Sequence, residues 1–326
     1  MLQNEDCYEE QKPLEKVSIK LTNDCNLRCK HCVARCGDFE KKEIDFNTVK
    51  EIVDWCEVNK VKSIFLTGGE ILIRKDIVDI ILYIGSYFLG KLFIITNAVL
   101  ITNEIARIIK ENISGVDISL DGYDEESVSA IRGKGVYNSV LKAIERLHEV
   151  GFYDISLSMV LTAKNQKHVS EFKSLCEQLQ AKEMLRVLMP EGRAYDNYNE
   201  LNTNSSNQEQ LTEQELLKKV NEYSFKCTCM GINNKFLVNE DLHVYPCELL
   251  ATGDFCKGSL NELYANNYKR FGTKILVDEI EGCRECNVRY FCASNCIGMD
   301  LSIFKNPVLR EQRCKKSKEM FQYVWK

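Results

Sequence analysis

The chain of 326 residues is 44% hydrophobic and 28% charged with only 17 Gly and 4 Pro, which excludes disordered and collagen-like classes and leaves length for about two domains. The 43 Lys and Arg against 48 Asp and Glu give a net charge of -5. That balance offers no footprint for a nucleic-acid backbone or an anionic membrane surface, so neither is expected as a partner. The longest apolar stretch, Ile77 to Leu100, is interrupted by Asp79 and Lys91, and residues 1–16 carry Glu5, Asp6, Glu9 and Glu10 without an apolar core. No membrane span and no secretion signal follow, and a cytoplasmic location is expected.

From Val17 to Met189 short β-branched runs alternate with amphipathic stretches, the pattern of successive βα units around a parallel sheet. Six strands are expected: Val17–Leu21, Ser63–Thr67, Leu92–Thr96, Val116–Leu120, Ile155–Val160 and Leu185–Met189. Helical faces recur in Val49/Ile52/Val53/Cys56, Ile77/Ile80/Ile81/Ile84, Val140/Ala143/Ile144/Leu147 and Val169/Phe172/Cys176/Leu179, and are expected to cover one side of the sheet. Asp196 to Glu215 is rich in Asn, Gln, Ser and Glu and reads as a solvated connection. The expected division is residues 1–195, a connection at 196–226, and a Cys-rich region at 227–326 in which metal supplies order that a small core cannot.

The 16 cysteines are far too many for a reducing compartment unless they bind metal. Four lie in Cys25–Cys36 and nine in Cys227–Cys314, while Cys7, Cys56 and Cys176 stand apart and are expected to be inert. Directly after the first strand, Cys25, Cys29 and Cys32 form a C-x3-C-x2-C loop. Three thiolates on a four-iron four-sulfur cluster leave one iron with an open position, as a chemically active cluster needs. A zinc site with Cys36 as its fourth ligand is the alternative for the same spacing.

This loop resembles that of the radical S-adenosylmethionine superfamily, and further motifs follow in order. Gly68-Gly69-Glu70 comes after the second strand, Thr96-Asn97-Ala98 after the third, Ser119-Leu120-Asp121-Gly122 with Arg132-Gly133 after the fourth, and Gly192-Arg193-Ala194 after the sixth. His31 stands where the family usually has an aromatic residue, and Ala98 where it has glycine. The resemblance implies a partial (β/α)6 barrel with its active site at the C-terminal strand ends. It also implies S-adenosylmethionine bound by His31, Gly68, Gly69, Glu70, Asn97, Ser119, Asp121, Arg132, Gly192 and Arg193, with Glu70 pairing the methionine ammonium, Ser119 and Asp121 the ribose, and Gly192-Arg193 near adenine.

Cys283-x2-Cys286-x5-Cys292-x3-Cys296-x17-Cys314, preceded by Cys229-x17-Cys247, resembles the SPASM extension of that superfamily, with Leu242 in place of a glycine. The resemblance implies two auxiliary four-iron clusters, three clusters in all. Cys229, Cys247 and Cys296 would hold the first, with Cys227 or the substrate as candidate fourth ligand, and Cys283, Cys286, Cys292 and Cys314 the second. Two structural zincs are the alternative there. Glu248, beside Cys247, sits where sulfatase-maturing relatives place a catalytic aspartate and is a candidate general base.

The implied activity is oxidative modification of a ribosomally made peptide, by a thioether or carbon–carbon cross-link or otherwise. Reductive cleavage of S-adenosylmethionine would supply the radical and a flavodoxin or ferredoxin the electron. The 16 residues before the first strand are too few for a fused leader-binding domain, so a separate leader-binding protein or capture at the sheet edge is expected. A sulfatase-maturase-like oxidase, a cofactor-precursor enzyme and a non-enzymatic zinc-binding module are the competing readings.

Overall fold

The computed structural model describes residues 14–202, 235–251, 255–266, 278, 281–289, 308, 310, 311, 314, 315, 318 and 319. The chain divides into two compact units. The larger comprises Pro13–Asn204 and Lys235–Ala265, and the smaller includes Asn266–Lys326. No helix among the described residues is long and apolar enough to cross a membrane.

The larger unit is α/β. Strands β1 (Lys16–Lys20), β2 (Ser63–Thr67), β3 (Lys91–Thr96), β4 (Gly115–Ser119), β5 (Ile155–Leu161) and β6 (Lys182–Val187) lie side by side in sequence order and all run parallel. An order without reversal, joined by right-handed crossovers, puts every connecting helix on one face. Those helices are α1 (Phe46–Val58), α2 (Ile77–Tyr87), α3 (Asn103–Asn112), α4 (Glu125–Arg132), α5 (Val136–Glu149) and α6 (Val169–Gln178). Two single-turn helices follow β6, α7 (Arg193–Asp196) and α8 (Tyr198–Leu201).

The core sits between strands and helices. Val17, Ile19, Ile64, Leu66, Leu92, Ile94, Val116, Ile118, Leu157 and Met159 point one way from the strands and are buried. They meet Ile52, Cys56, Ile80, Ile84, Ile109, Val140, Ile144, Leu147 and Phe172 from the helices. Alternate strand positions face the opposite way and are mostly half-buried. They include Phe65 and Phe93, stacked with ring centroids 4.6 Å apart, and Lys16, whose Nζ lies 4.1 Å above the Phe65 ring. Among the described residues, helices seal one face of this sheet, and the other presents polar groups and aromatics together.

Several expectations shift. β6 starts at Lys182, not Leu185, and its Leu185 and Val187 are 38% and 58% exposed. At the end of the parallel run the strand keeps backbone pairing with β5 while losing the burial that makes a strand visible as an apolar run. Helices α3 and α4 were not among the expected faces. α3 buries only Ala106 and Ile109, and both are set by their caps, Thr102 accepting from Ile105 N and Asp124 forming a capping box with Ser127. Beyond the connection, β7 (Lys235–Val238) pairs parallel with β1 and β8 (Val244–Tyr245) pairs antiparallel with β7, extending the sheet to eight strands. Helix α9 (Leu260–Asn266) follows. Cys56 and Cys176 are buried on α1 and α6.

Phe172 is fully buried where α6 meets the sheet. Phe172→Ala is expected to lower the unfolding free energy by about 3–5 kcal/mol in a urea titration, the usual result of emptying an aromatic core position.

Candidate functional site

In a parallel sheet the loops after every strand emerge at one end. The cysteine loop follows β1, Gly68–Glu70 follow β2, Thr96–Ala98 follow β3, Ser119 ends β4 and Asp121 follows it, and Gly192–Arg193 follow β6. The structure therefore brings the motifs of the larger unit to one rim.

The first contact on that rim is backbone on backbone. Gly69 N donates to Thr22 O at 2.8 Å and Glu70 N to Asp24 O at 2.9 Å. A Cβ on Gly69 would lie 1.9 Å from Asp24 O, so only glycine lets the second loop run this close to the first. The Glu70 carboxylate is wholly buried beneath the loops. Its Oε1 accepts from Leu72 N and Thr96 Oγ1 at 3.0 and 2.7 Å, and its Oε2 from Asn97 N at 2.7 Å. Burial pushes its pKa up, against those donors. Glu70 thus fastens Asn97, whose side chain donates to Asn26 Oδ1 at 2.7 Å, next to Cys25. Ala98, where the resemblance has glycine, adopts φ +60°, a left-handed conformation that costs a non-glycine residue about 1–2 kcal/mol.

The second contact is ionic. Asp121 is 0% exposed, Arg132 8% and His31 9%. Asp121 Oδ2 lies 2.5 Å from His31 Nε2 and 2.6 Å from Arg132 Nε, the latter an ion pair off the line of the N–H. Asp121 Oδ1 accepts from Val160 N at 2.5 Å, and Asn165 Nδ2 donates to Asp121 O at 3.0 Å. Burial alone would raise the Asp121 pKa, but the Arg132 guanidinium and His31 outweigh it and hold the carboxyl well below the usual range. The remaining reach of Arg132 ends at a thiol, with Nη1 3.7 Å from Cys29 Sγ.

The third contact comes from the loop after β6. Arg193 N donates to Cys32 O at 2.9 Å, Nε to Cys29 O at 2.9 Å, and Nη1 to Cys36 O and Asp38 Oδ1 at 3.2 and 2.6 Å. Gly192 has φ +57°, and a Cβ there would lie 2.2 Å from Val33 O. Gly192 and Arg193 together grip the cysteine loop at Cys29, Cys32, Val33 and Cys36.

Burial pushes the Cys25 thiol up to about 11, while hydrogen bonding from Cys36 brings Cys32 down to about 5. Leu27 N donates to Cys25 Sγ at 3.4 Å. No three His, Cys, Asp or Glu side chains among the described residues are arranged to hold a single metal ion. A cubane instead takes each thiolate on a different iron, so neighbouring cysteines flanked by the guanidinium groups of Arg132 and Arg193 fit its charge and its spread.

Elsewhere, Ser119 is half-buried at the end of β4. Glu248 Oε1 accepts from Lys16 Nζ at 3.0 Å and Ser18 Oγ at 2.5 Å on the face of β1 away from the helices. Burial would raise its pKa, but Lys16 and Ser18 hold it lowered. Cys247 is buried just before it. Cys283 and Cys286 share a turn of the smaller unit in which Cys286 N donates to Cys283 O at 2.8 Å, and Cys314 is half-buried in that unit. Cys227, Cys229, Cys292 and Cys296, like Cys7, lie outside the described residues.

Sequence reasoning did not find Asn165, Asn26 or the hydrogen bond from Cys36 to Cys32. Asn165 is buried, its Oδ1 accepting from Thr162 N and Oγ1, and a Thr-x-x-Asn run after a strand was the only trace of it.

Residues 19–176 match the family model described as Radical SAM superfamily. Mycofactocin maturase MftC of Mycolicibacterium smegmatis is 34% identical over 193 residues, 59% of this chain and 49% of that relative. The chain thus spans about half the length of the curated relative it matches. Among solved structures, anSMEcpe with bound AdoMet aligns at TM-score 0.64 and 18% identity, covering 95% of this chain and 97% of that one. Streptococcus suis SuiB bound to precursor peptide SuiA aligns at TM-score 0.65 and 16% identity, covering 94% and 76%. These likenesses show a shared α/β fold whose parallel sheet matches a partial barrel.

Arg193→Ala is expected to release the cysteine loop while leaving the sheet folded. Trypsin should then cut at Arg28, Lys30 or Arg35 about tenfold faster or more, since each charge-assisted bond lost is worth about 1.5–3 kcal/mol. An unchanged cleavage rate would show that Arg193 does not hold the loop.

Proposed function

Residues 19–176 match the Radical SAM superfamily model, and on that likeness we propose that the chain is a radical S-adenosylmethionine enzyme of the peptide-modifying SPASM type. The observation that carries the proposal is the grip on the cysteine loop. Backbone from the loop after β2, a buried ion pair after β4 and a guanidinium after β6 all close on the stretch from Thr22 to Cys36 at one end of the sheet.

Cys25, Cys29 and Cys32 would hold a four-iron four-sulfur cluster, and S-adenosylmethionine would lie against it along the rim. Such a cluster would supply the electron for reductive cleavage of S-adenosylmethionine, the source of the radical that would take a hydrogen from the substrate. Gly68, Gly69, Asn97, Ser119 and Gly192 would border the cofactor, while Glu70, His31, Asp121, Arg132 and Arg193 hold those loops from beneath. Glu248, kept ionised by Lys16 and Ser18, would accept the proton that leaves the substrate as it is oxidised. Stacked Phe65 and Phe93 on the same face would exclude water beside it.

Residues 227–326 would form the SPASM region, with Cys227, Cys229, Cys247 and Cys296 on one auxiliary cluster and Cys283, Cys286, Cys292 and Cys314 on the other, accepting the electron left on the product. MftC is named a maturase, and SuiB is seen with its precursor peptide. Both support a ribosomally made peptide as substrate, carrying a thioether, carbon–carbon or other oxidative change. A separate leader-binding protein and a flavodoxin or ferredoxin would complete the system.

Anaerobic reconstitution should give about twelve irons per chain, and Cys29→Ala about eight with release of 5′-deoxyadenosine abolished. A colourless zinc protein that releases no 5′-deoxyadenosine would overturn the proposal. Glu248→Gln should keep 5′-deoxyadenosine release while modification of the precursor peptide falls about 10²–10⁴-fold, the usual contribution of a general base. If product forms at the wild-type rate, the proton goes elsewhere.

A further inference from the structure

We infer that Arg132 donates a hydrogen bond to the ligand sulfur of Cys29 and thereby raises the reduction potential of the cluster on the cysteine loop. The inference rests on the cluster placement proposed above. Among the described residues the donors to the three thiols differ in kind, and Cys32 also takes the backbone N–H groups of Ala34 and Cys36. Cys25 takes the backbone N–H of Leu27, Cys32 the thiol of Cys36, and Cys29 the guanidinium of Arg132. Only the last is a charged side chain, held at its other end by Asp121.

Asp121 is itself fixed from four directions, by Val160 N, His31 Nε2, Arg132 Nε and, through its carbonyl, Asn165 Nδ2. It holds that place at φ +67°, a conformation uncommon outside glycine and asparagine or aspartate. The network is almost sealed from solvent, so water competes little for the Nη1–H, and the bond to sulfur keeps its strength. Hydrogen bonds to cluster sulfurs stabilise the more negative, reduced state and so raise the potential. Asp121 cancels most of the charge of Arg132. What then remains acting on the sulfur is the directed N–H, not a net positive field.

That balance decides the test. Arg132→Met alone would strand a buried carboxylate, so it is combined with Asp121→Asn, which fits the same left-handed backbone and leaves the site neutral. The quantity to follow is the midpoint potential of the electron paramagnetic resonance signal that changes on addition of S-adenosylmethionine, which separates this cluster from any auxiliary ones. The double variant, loaded with wild-type iron, should titrate at a more negative potential. Arg132→Lys, which keeps the charge without the planar fork, should lie between it and wild type. Equal midpoints in all three proteins at full iron would overturn the inference while leaving the cluster placement standing. A wild-type protein with no signal responsive to S-adenosylmethionine would overturn the placement itself, and the inference with it.

Discussion

A carboxylate with no exposed surface stays charged only when its surroundings replace every water it gave up, and at Asp121 they do. A backbone amide, a guanidinium and an imidazole converge on its two oxygens. Those groups belong to β5, α4 and the cysteine loop, so the cost of burying one charge is met by joining three parts of the chain that are far apart in sequence. Removing any one partner would leave an unpaired charge or donor in a dry interior. The ionic node therefore fixes the distance between the cysteine loop and the far side of the rim, and Arg193 fixes the same loop from β6.

Both fastenings use arginine, one through backbone carbonyls of the cysteine loop and the other through a thiol. Arg193 binds the carbonyls of Cys29 and Cys36, and Arg132 touches one thiol. Cation placement of this kind suits a loop that carries several thiolates at once, because positive charge offsets their mutual repulsion without occupying a ligand position. The buried Glu70 serves the third side differently, tying down Asn97 N, Leu72 N and Thr96 Oγ1 with one carboxylate.

The parallel sheet was legible from sequence because its central strands are continuous apolar runs, buried where they meet helices. Ser63–Thr67 has the bounds the alternation implies. Legibility failed where burial did. β6 has mostly exposed side chains and was placed three residues late. α3 is held by a cap more than by an apolar face. β7 and β8 were hidden by their length and by Leu242, which turns between them at φ +59° with neither the glycine nor the asparagine that usually announces a left-handed turn. At the site, motif spacing named the residues but not their duties. Nothing in Ser-x-Asp-Gly reveals that its aspartate meets an arginine eleven positions on and a histidine ninety positions back, since pairing across a sheet is a tertiary fact.

A multi-iron centre on Cys25, Cys29 and Cys32 would be enclosed by Arg132 and Arg193. Anomalous diffraction at the iron edge from crystals grown without oxygen tests it directly. The expected result is a strong iron peak bounded by those three sulfurs, with the Arg132 guanidinium beside Cys29. An iron-free loop, or a single zinc on Cys25, Cys29, Cys32 and Cys36, would contradict it.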